Sequence, residues 1–220
     1  MGHRQVVVIA GGERAPGPTP ALTSEAVVIA ADSGVDYAHA IGLRVDVAIG
    51  DFDSVSPQGL ARAEVQGARI ERHPEAKDKT DLELALDEAM RLDAGDVVVL
   101  GIGGGRLDHL LANLLLMASP KYARCRLTAL DGPMRVHVVH AGRPPTELPG
   151  EAGELLTLLP VGGAASGITT EGLRYPLRGE PLPPGTTRGV SNVVAVPPAS
   201  VQLEAGTLLA VFPGQGDANA

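Results

Sequence analysis

Two carboxylates stand one residue apart at Asp51 and Asp53, directly after the apolar run Val45–Ile49, which predicts a buried strand. In extended backbone, residues i and i+2 point to the same side, so both side chains can aim at one point. Two carboxylates aimed at one point repel each other unless a cation lies between them, and Mg²⁺ prefers such oxygen ligands. The alternative is a polar loop with an Asx turn at Asp53-Ser54. The spacing therefore predicts either a magnesium site or an ordinary loop.

Other acidic or glycine-rich segments also follow strand-like runs. Asp32 follows Ala26–Ala31, and Gly101–Gly105 follows Val97–Leu100. In open α/β sheets, ligands bind at the carboxyl ends of the strands, so these segments are expected to gather at one edge of a sheet. Asp32 itself has two interpretations, either a third carboxylate for the metal or the N-cap of the helix that follows.

A further polar segment, Lys77–Asp81, precedes a helix that is predicted by a capping box at Thr80 and Glu83. Asp81 falls in the first turn, where a negative charge interacts favourably with the helix dipole. That explanation does not cover Asp78, which lies between two lysines. Alternating acidic and basic residues at a helix N-terminus can hold both a phosphate and its metal.

The glycine-rich segment Gly101–Gly105 allows close approach of the backbone to a phosphate, but it matches neither the dinucleotide fingerprint nor the P-loop pattern. Arg106 adds a fork of donors that fits phosphate geometry. Arg106, His109 and Asn113 are spaced for one polar helix face, opposite a face of five leucines within Leu107–Leu115. A solvated helix face would show the same pattern, so both interpretations stay open.

The order of the segments predicts the fold class. Valine-, isoleucine- and leucine-rich runs alternate with amphipathic helices, which indicates a Rossmann-like α/β domain with a mostly parallel sheet over residues 1–140. Residues 141–220 contain short strand-like runs, such as Leu155–Leu159 and Gly167–Thr170, separated by Gly and Pro. That pattern predicts a small all-β sandwich domain. Within it, Ser191 and Asn192 either offer a hydroxyl and an amide to an uncharged polar ligand or form a turn before a strand.

Composition narrows the function classes. The net charge of −8 argues against non-specific binding of nucleic acid, whereas a polyphosphate held with a metal is compatible with it. Cys125 is the single cysteine, so it forms no internal disulfide and is predicted to be a small buried side chain. No apolar run approaches the roughly 18 residues that span a bilayer, and no signal-peptide pattern is found at the start. A cytoplasmic protein without membrane association is expected.

Taken in order, five segments of the chain resemble the motifs of thiamine pyrophosphokinases. They are Ala31–Gly34, Gly50–Ser54, Lys77–Asp81, Gly104–His109 with Asn113, and Gly189–Asn192. The segment Gly172–Leu177 also resembles the family's pattern in its β domain. Each motif alone is weak, but the ordered set is specific and extends over most of the chain.

The resemblance implies transfer of a diphosphoryl group from ATP to the hydroxyl of thiamine, with release of AMP and a need for Mg²⁺. It also implies a homodimer, with each thiamine site between the α/β domain of one subunit and the β domain of the other. Two alternatives are a pyrophosphokinase of the same fold that acts on a pterin alcohol, and a non-catalytic nucleotide or thiamine sensor.

Carried over by position, the resemblance assigns roles to individual residues. The metal ligands it implies are Asp32, Asp51, Asp53 and Asp78. The catalytic residues it implies are Asp53, Asp81, Arg106 and Asp108, with Asp53 or Asp81 accepting the alcohol proton. The residues it places at the nucleotide are Asp78, Lys79, Gly104, Gly105 and Asn113. The residues it places at thiamine are Ser191 and Asn192.

Overall fold

The computed structural model describes residues 4–12 and 20–214. Contacts within the chain divide it into two compact units that interleave along the sequence. The first unit contains the residues up to Leu114 together with Ala129–Gly132, and the second contains Leu115–Thr128 and the residues from Pro133 onward. The domain boundary predicted at residue 140 lies inside the second of these units.

The first unit is built on a parallel sheet. Its strands are β1 (Arg4–Ile9), β2 (Val27–Ala31), β3 (Val47–Gly50), β4 (Arg69–Arg72) and β5 (Ala94–Leu100). They pair in parallel in the order β4-β3-β2-β1-β5. The chain moves in one direction from β1 to β4 and then crosses to the other side of β1 to form β5. A topological switch point, where open α/β sheets bind ligands, therefore lies between β1 and β5.

Four α-helices occur in the described residues. They are α1 (Gly34–Ala40), α2 (Pro57–Val65), α3 (Asp81–Arg91) and α4 (Leu107–Met117). Thr80 is confirmed as the N-cap of α3, because its hydroxyl accepts a hydrogen bond from the backbone N–H of Glu83 at 3.2 Å, which is one of the two hydrogen bonds of the predicted capping box. The apolar face of α3 is buried, and this helix packs on β1, β2, β3 and β5. That packing fixes the N-terminus of α3 beside the carboxyl ends of the strands.

Helix α4 lies where the sequence predicts it, but its leucine face is not buried. Leu107, Leu111 and Leu115 are 68%, 51% and 57% exposed. Leucines at this spacing define one helix face, and a face is buried only where another element covers it. In the described part of a single chain, nothing encloses these three side chains, so the leucine spacing marks a helix face without determining whether that face is buried.

The second unit is rich in β-structure, as predicted. Its strands are the first half of β6 (Arg126–Asp131), β7 (Met134–His140), β8 (Thr146–Leu148), β9 (Leu155–Glu171), β10 (Arg178–Leu182), β11 (Asn192–Val193), β12 (Ala199–Gln202) and β13 (Ala205–Phe212). Strands β7 to β13 pair antiparallel, which needs only short connections. An α/β unit and a β-rich unit together confirm the coarse fold class.

Strand β9 joins two sets of strands in this unit. Its first half pairs with β13, and its second half pairs with β10 and β12. Gly162 lies between the halves with a φ of +72°, which a side chain would disfavour. Leu156, Leu158 and Ile168 from the two halves are buried in one core. The sequence predicts two separate strands here, whereas the structure has one long bent strand.

Two predictions from composition concern Cys125 and membrane segments. Cys125 is buried with 2% of its surface exposed, which confirms it as a small core residue. No helix among residues 4–12 and 20–214 has the length and apolar character that a membrane crossing would need.

Candidate active site

A cleft of about 790 Å³ lies in the first unit at the carboxyl ends of its parallel strands. The loops that follow β1, β2, β3 and β5 line it, together with the first turns of α3 and α4. This is the edge of the sheet that contains the switch point between β1 and β5, so the location matches where α/β sheets hold ligands. The predicted gathering of polar loops at one edge is thus what the structure shows.

Three acidic side chains meet at this cleft. One oxygen from each of Asp32, Asp51 and Asp53 lies within 4.8 Å of the other two. Asp32 and Asp51 are partly buried, and Asp53 is exposed. Negative charges at such distances repel each other strongly, and a shared divalent cation with a preference for oxygen would remove the repulsion. The group therefore has the composition of a magnesium site.

Asp32 carries an oxygen without a partner. Its Oδ1 is buried and accepts no hydrogen bond from the described residues. Burial raises the pKa of Asp32, and the carboxylates of Asp53 and Asp81 raise it further, against hydrogen bonds from two serines. A buried anionic oxygen without a partner is unfavourable, and a bound cation would satisfy it. Ser33, and not Asp32, is the N-cap residue of α1, so the helix-cap interpretation of Asp32 is wrong.

The backbone between Asp51 and Asp53 is not extended. Phe52 has a φ of +63°, in the left-handed region that residues with a side chain seldom adopt. The two carboxylates thus converge because the chain turns at Phe52, and not because side chains alternate along a strand. The Ser54 hydroxyl also donates a hydrogen bond to Asp53 Oδ1 at 2.7 Å, so the loop has local order of its own.

Lys77 lies between two carboxylates of the cleft. Its Nζ is 3.1 Å from Asp51 Oδ2 and 3.0 Å from Asp81 Oδ1. Burial lowers the pKa of Lys77, but the two carboxylates outweigh this effect and the net shift is upward. The hydrogen bond from Lys77 in turn lowers the pKa of Asp51. This ammonium therefore links the exit of β3 to the start of α3.

The rest of the Lys77–Asp81 segment is more open. Lys79 lines the cleft, and its Nζ pairs with Asp87 at 2.7 Å. Asp78 is exposed and lies outside the group of three converging carboxylates. Its assignments as a metal ligand and as a nucleotide contact therefore stay predictions.

The glycine-rich loop after β5 is held by its neighbours. The backbone N–H of Gly12 donates to the carbonyl of Gly101 at 3.1 Å, and a Cβ on Gly12 would lie only 1.9 Å from the carbonyl oxygen of Gly103. The Asn113 side chain donates to the carbonyl of Ile102 at 3.0 Å. Asn113, predicted to face the nucleotide, therefore also fastens the loop. Gly104 is part of the cleft lining, whereas Gly105, exposed, is not.

Arg106 and Asp108 face each other at the start of α4. The Arg106 guanidinium donates to both carboxylate oxygens of Asp108, at 3.2 and 2.6 Å, and both side chains are 65% exposed. The arginine lowers the pKa of Asp108 to about 2. Both residues line the cleft, and the guanidinium fork is already occupied by a carboxylate, while their roles at the nucleotide and in catalysis stay predictions. An exposed pair of this kind exchanges partners readily, because water screens it.

Ser191 and Asn192 belong to the second unit and differ in environment. Ser191 is exposed with a φ of +57°, and its backbone N–H donates to Thr157 Oγ1 at 3.1 Å. Asn192 is buried, and its side chain binds both backbone groups of Tyr175, at 2.8 and 3.1 Å. The amide predicted to face thiamine thus holds Tyr175, whose side chain is 55% exposed. The role of either residue at thiamine stays a prediction.

Sequence reasoning assigned no role to Gly12 and Asp131 at this edge of the first unit, and it considered Lys77 only as one of the alternating charged residues of the Lys77–Asp81 segment. Gly12 is signalled only by the Gly-Gly pair after β1, and Lys77 only by its place among acidic residues. Asp131 ends β6 and lies against Gly103, where burial raises the pKa of Asp131 against a backbone hydrogen bond from Gly103. No local pattern identifies Asp131, because its contact with the loop is made by the fold.

A parallel sheet whose loops bring carboxylates, glycines and an arginine to a switch point is typical of enzymes that bind a nucleotide with a divalent cation. Family models define the chain more narrowly. Residues 19–129 match the catalytic domain of thiamin pyrophosphokinase, and residues 144–208 match its vitamin B1 binding domain. The chain therefore belongs to the thiamin pyrophosphokinase family, which confirms the family predicted from the order of the motifs.

Individual relatives agree with this assignment. Thiamine pyrophosphokinase from Bacillus subtilis is 28% identical over 194 residues, which cover 86% of this chain and 89% of that protein. Its crystal structure has a TM-score of 0.84 at 25% identity and covers 97% of this chain and 100% of its own. A family member from Enterococcus faecalis has a TM-score of 0.80 at 26% identity, with 97% and 100% covered.

Proposed function

We propose that this chain transfers a diphosphoryl group from ATP to the hydroxyl of thiamine and releases AMP. The observation that carries the proposal is that a catalytic domain and a vitamin B1 binding domain of one enzyme family both match this chain. The vitamin B1 binding domain disfavours a pterin alcohol as the substrate. The convergence of Asp32, Asp51 and Asp53 disfavours a sensor without catalysis, because a sensor has no need of such a cluster.

The metal in this proposal is Mg²⁺, held by Asp32, Asp51 and Asp53. Their convergence within 4.8 Å and the unpartnered Oδ1 of Asp32 support the fit. Bound Mg²⁺ would neutralise phosphate charge during transfer. Asp78 is retained as a further ligand only on the resemblance, because it is exposed and stands apart from the three.

The phosphates of ATP are proposed to lie along the glycine-rich loop. The backbone there has no side chain in the way, and Arg106 offers a two-pronged donor beside it. When ATP binds, Arg106 would exchange the Asp108 carboxylate for a phosphate. Asp108 would then be free to face solvent or the nucleotide. The remaining residues proposed to contact or place the nucleotide are Lys79, Gly104, Gly105 and Asn113.

In the chemical step, the thiamine oxygen attacks the β-phosphorus of ATP. A bond forms between these two atoms, the bond from the β-phosphorus to the oxygen that bridges the α-phosphorus breaks, and AMP leaves. The alcohol proton passes to a carboxylate, Asp53 or Asp81. The chain contributes mainly position and charge neutralisation, as in phosphoryl transfer generally.

Thiamine is proposed to bind through the second unit. Ser191 supplies an exposed hydroxyl, and Tyr175 supplies an exposed aromatic ring whose backbone is fixed by Asn192. Cationic and aromatic rings bind favourably to an aromatic face. In this proposal Asn192 acts by placing Tyr175.

The finer parts of the assignment are a homodimer, a Rossmann-like first domain and a cytoplasmic location. The exposed leucines of α4 support a homodimer, because they give an apolar face that a second copy can cover. The strand order, with its switch point beside β1, supports the Rossmann-like description. The cytoplasmic location rests on the sequence alone.

The test is a product assay with ATP, Mg²⁺ and thiamine. We expect AMP and thiamine diphosphate in equal amounts, and no product when EDTA removes the divalent cation. A parallel reaction supplies a hydroxymethyl pterin in place of thiamine and should leave ATP unchanged. Formation of ADP, or consumption of the pterin, would reject the proposed reaction.

A further inference from the structure

One partly buried lysine lies where the acidic group of the cleft meets the start of α3. The Lys77 ammonium is 3.1 Å from Asp51 and 3.0 Å from Asp81, and only 13% of its side chain is exposed. Lys79, two residues on, is 45% exposed and pairs with Asp87 instead. Two lysines of one segment therefore have different environments, and only Lys77 is enclosed by site carboxylates.

The position of Lys77 matters because Asp51 is also one of the three converging carboxylates. A cation that binds Asp51 and an ammonium 3.1 Å from the same carboxylate repel each other. The ammonium also compensates the acidic group while no cation is bound. Its second partner, Asp81, is not one of the three, so Lys77 keeps a carboxylate contact if Asp51 turns to a metal.

We infer that Lys77 is a resident counter-ion that competes with the divalent cation for Asp51 and turns to the phosphates when a nucleotide enters. This inference rests on the metal site of the proposed function. Phosphate oxygens are strong acceptors for an ammonium, so a bound nucleotide offers Lys77 a new partner and releases Asp51. Lys77 thereby makes cation binding depend on the nucleotide, and linkage requires the reverse dependence as well.

The test measures binding and not turnover. Mn²⁺ binding to nucleotide-free protein is followed by electron paramagnetic resonance, and binding of α,β-methylene ATP in EDTA is followed by calorimetry. The variant is Lys77→Gln, which keeps a hydrogen-bond donor without the charge, and the matched control is Lys79→Gln. We expect Lys77→Gln to bind Mn²⁺ about tenfold more tightly and the metal-free nucleotide about tenfold more weakly. Lys79→Gln is the control for Mn²⁺ affinity alone, because Lys79 is itself proposed to contact the nucleotide, and it should leave Mn²⁺ affinity unchanged.

Opposite changes in the two affinities separate competition from a loss of structure, which would weaken both. Lys77→Arg keeps the charge and should bind Mn²⁺ within about twofold of the unaltered protein. Thermal unfolding confirms that each variant is folded. If the unaltered protein binds Mn²⁺ and Lys77→Gln binds it equally or more weakly, the inference is overturned while the metal site stands. If neither protein binds Mn²⁺, the metal site itself is rejected, and the inference with it.

Discussion

Asp51 and Asp53 provide the sharpest test at the scale of single residues. Asp51→Asn and Asp53→Asn are each expected to reduce turnover at least about a hundredfold, because each removes one anionic oxygen from the metal site. The rate of AMP release, measured across a Mg²⁺ titration, checks this expectation. Neither residue belongs to the apolar core, so the thermal unfolding midpoint should stay close to the original. Near-normal turnover of either variant at low Mg²⁺ would contradict the metal assignment.

At this scale the sequence predicts which residue types form the site better than it predicts how those residues are arranged. The carboxylates converge as expected, but through the left-handed backbone of Phe52, which no spacing rule reveals. Lys77 reaches Asp51 across 26 positions of sequence, so its role follows from the fold. Residues that act locally, such as Thr80 in its capping box, are predictable because their partners lie within one helical turn.

The Asn113 side chain, from α4, fixes the loop between β5 and α4, where the phosphates of ATP are proposed to lie. The Asn113 amide donates to the carbonyl of Ile102, and Asn113→Asp replaces this donor with an acceptor of nearly the same shape. We expect the KM for ATP to rise about tenfold, with a smaller fall in kcat, because the loop loses its hydrogen bond.

Hydrogen exchange of the Gly103–Gly105 amides provides the second measurement for Asn113→Asp. Exchange there should become faster, while exchange in α3 should stay the same. The matched control is His109→Asn, which alters a neighbouring cleft residue that makes no hydrogen bond to the carbonyl of Ile102. Unchanged exchange in the loop, together with an unchanged KM, would show that Asn113 does not hold it.

Among the elements, those with a strong local pattern are predicted and those defined by their neighbours are not. The apolar strands β1, β2, β3 and β5 are covered on both faces, so each appears as an apolar run. Strand β4 (Arg69–Arg72) is an edge strand in which Ile70 is the one apolar residue among charged ones, so it has no such run. The leucines of α4 show the limit of a local pattern, because their spacing defines one helix face but does not determine whether another element covers it.

For the whole molecule, one buried histidine, His140, and one partly buried histidine, His137, predict sensitivity to acid. Burial, with the nearby Arg135, lowers the pKa of His137 to about 4, and burial also lowers the pKa of His140. The Nε2 atoms of both are buried without a hydrogen-bond partner in the described residues. In the unfolded chain His137 therefore binds a proton at about pH 6.5, whereas in the folded chain it binds one only at about pH 4. Stability should fall as the pH decreases through this window.

Urea unfolding at pH 7 and at pH 4.5 measures this effect. In His137→Phe the loss of unfolding free energy between the two pH values should shrink by on the order of 2 kcal/mol. An identical pH dependence in His137→Phe and the unaltered protein would contradict the assignment.

The sequence predicts a two-part organisation of the molecule with a boundary at residue 140, and that boundary stays a prediction. Glycine and proline mark a change of composition near residue 141, whereas contacts group Leu115–Thr128 and the residues from Pro133 to His140 with the second unit. Composition reports which local structures are favoured, and it carries no information on which distant segments meet. The order of the motifs, by contrast, identifies the family without any knowledge of these contacts.

Asp32 combines a left-handed backbone with a buried oxygen that lacks a partner. Each feature opposes folding, by on the order of 1–3 kcal/mol for the backbone alone. A glycine at this position would relieve both, and it would remove the anion that the cleft presents to a cation. Selection for heat resistance and selection for catalysis therefore act in opposite directions on this residue. A variant library ranked by melting temperature alone would favour inactive proteins here.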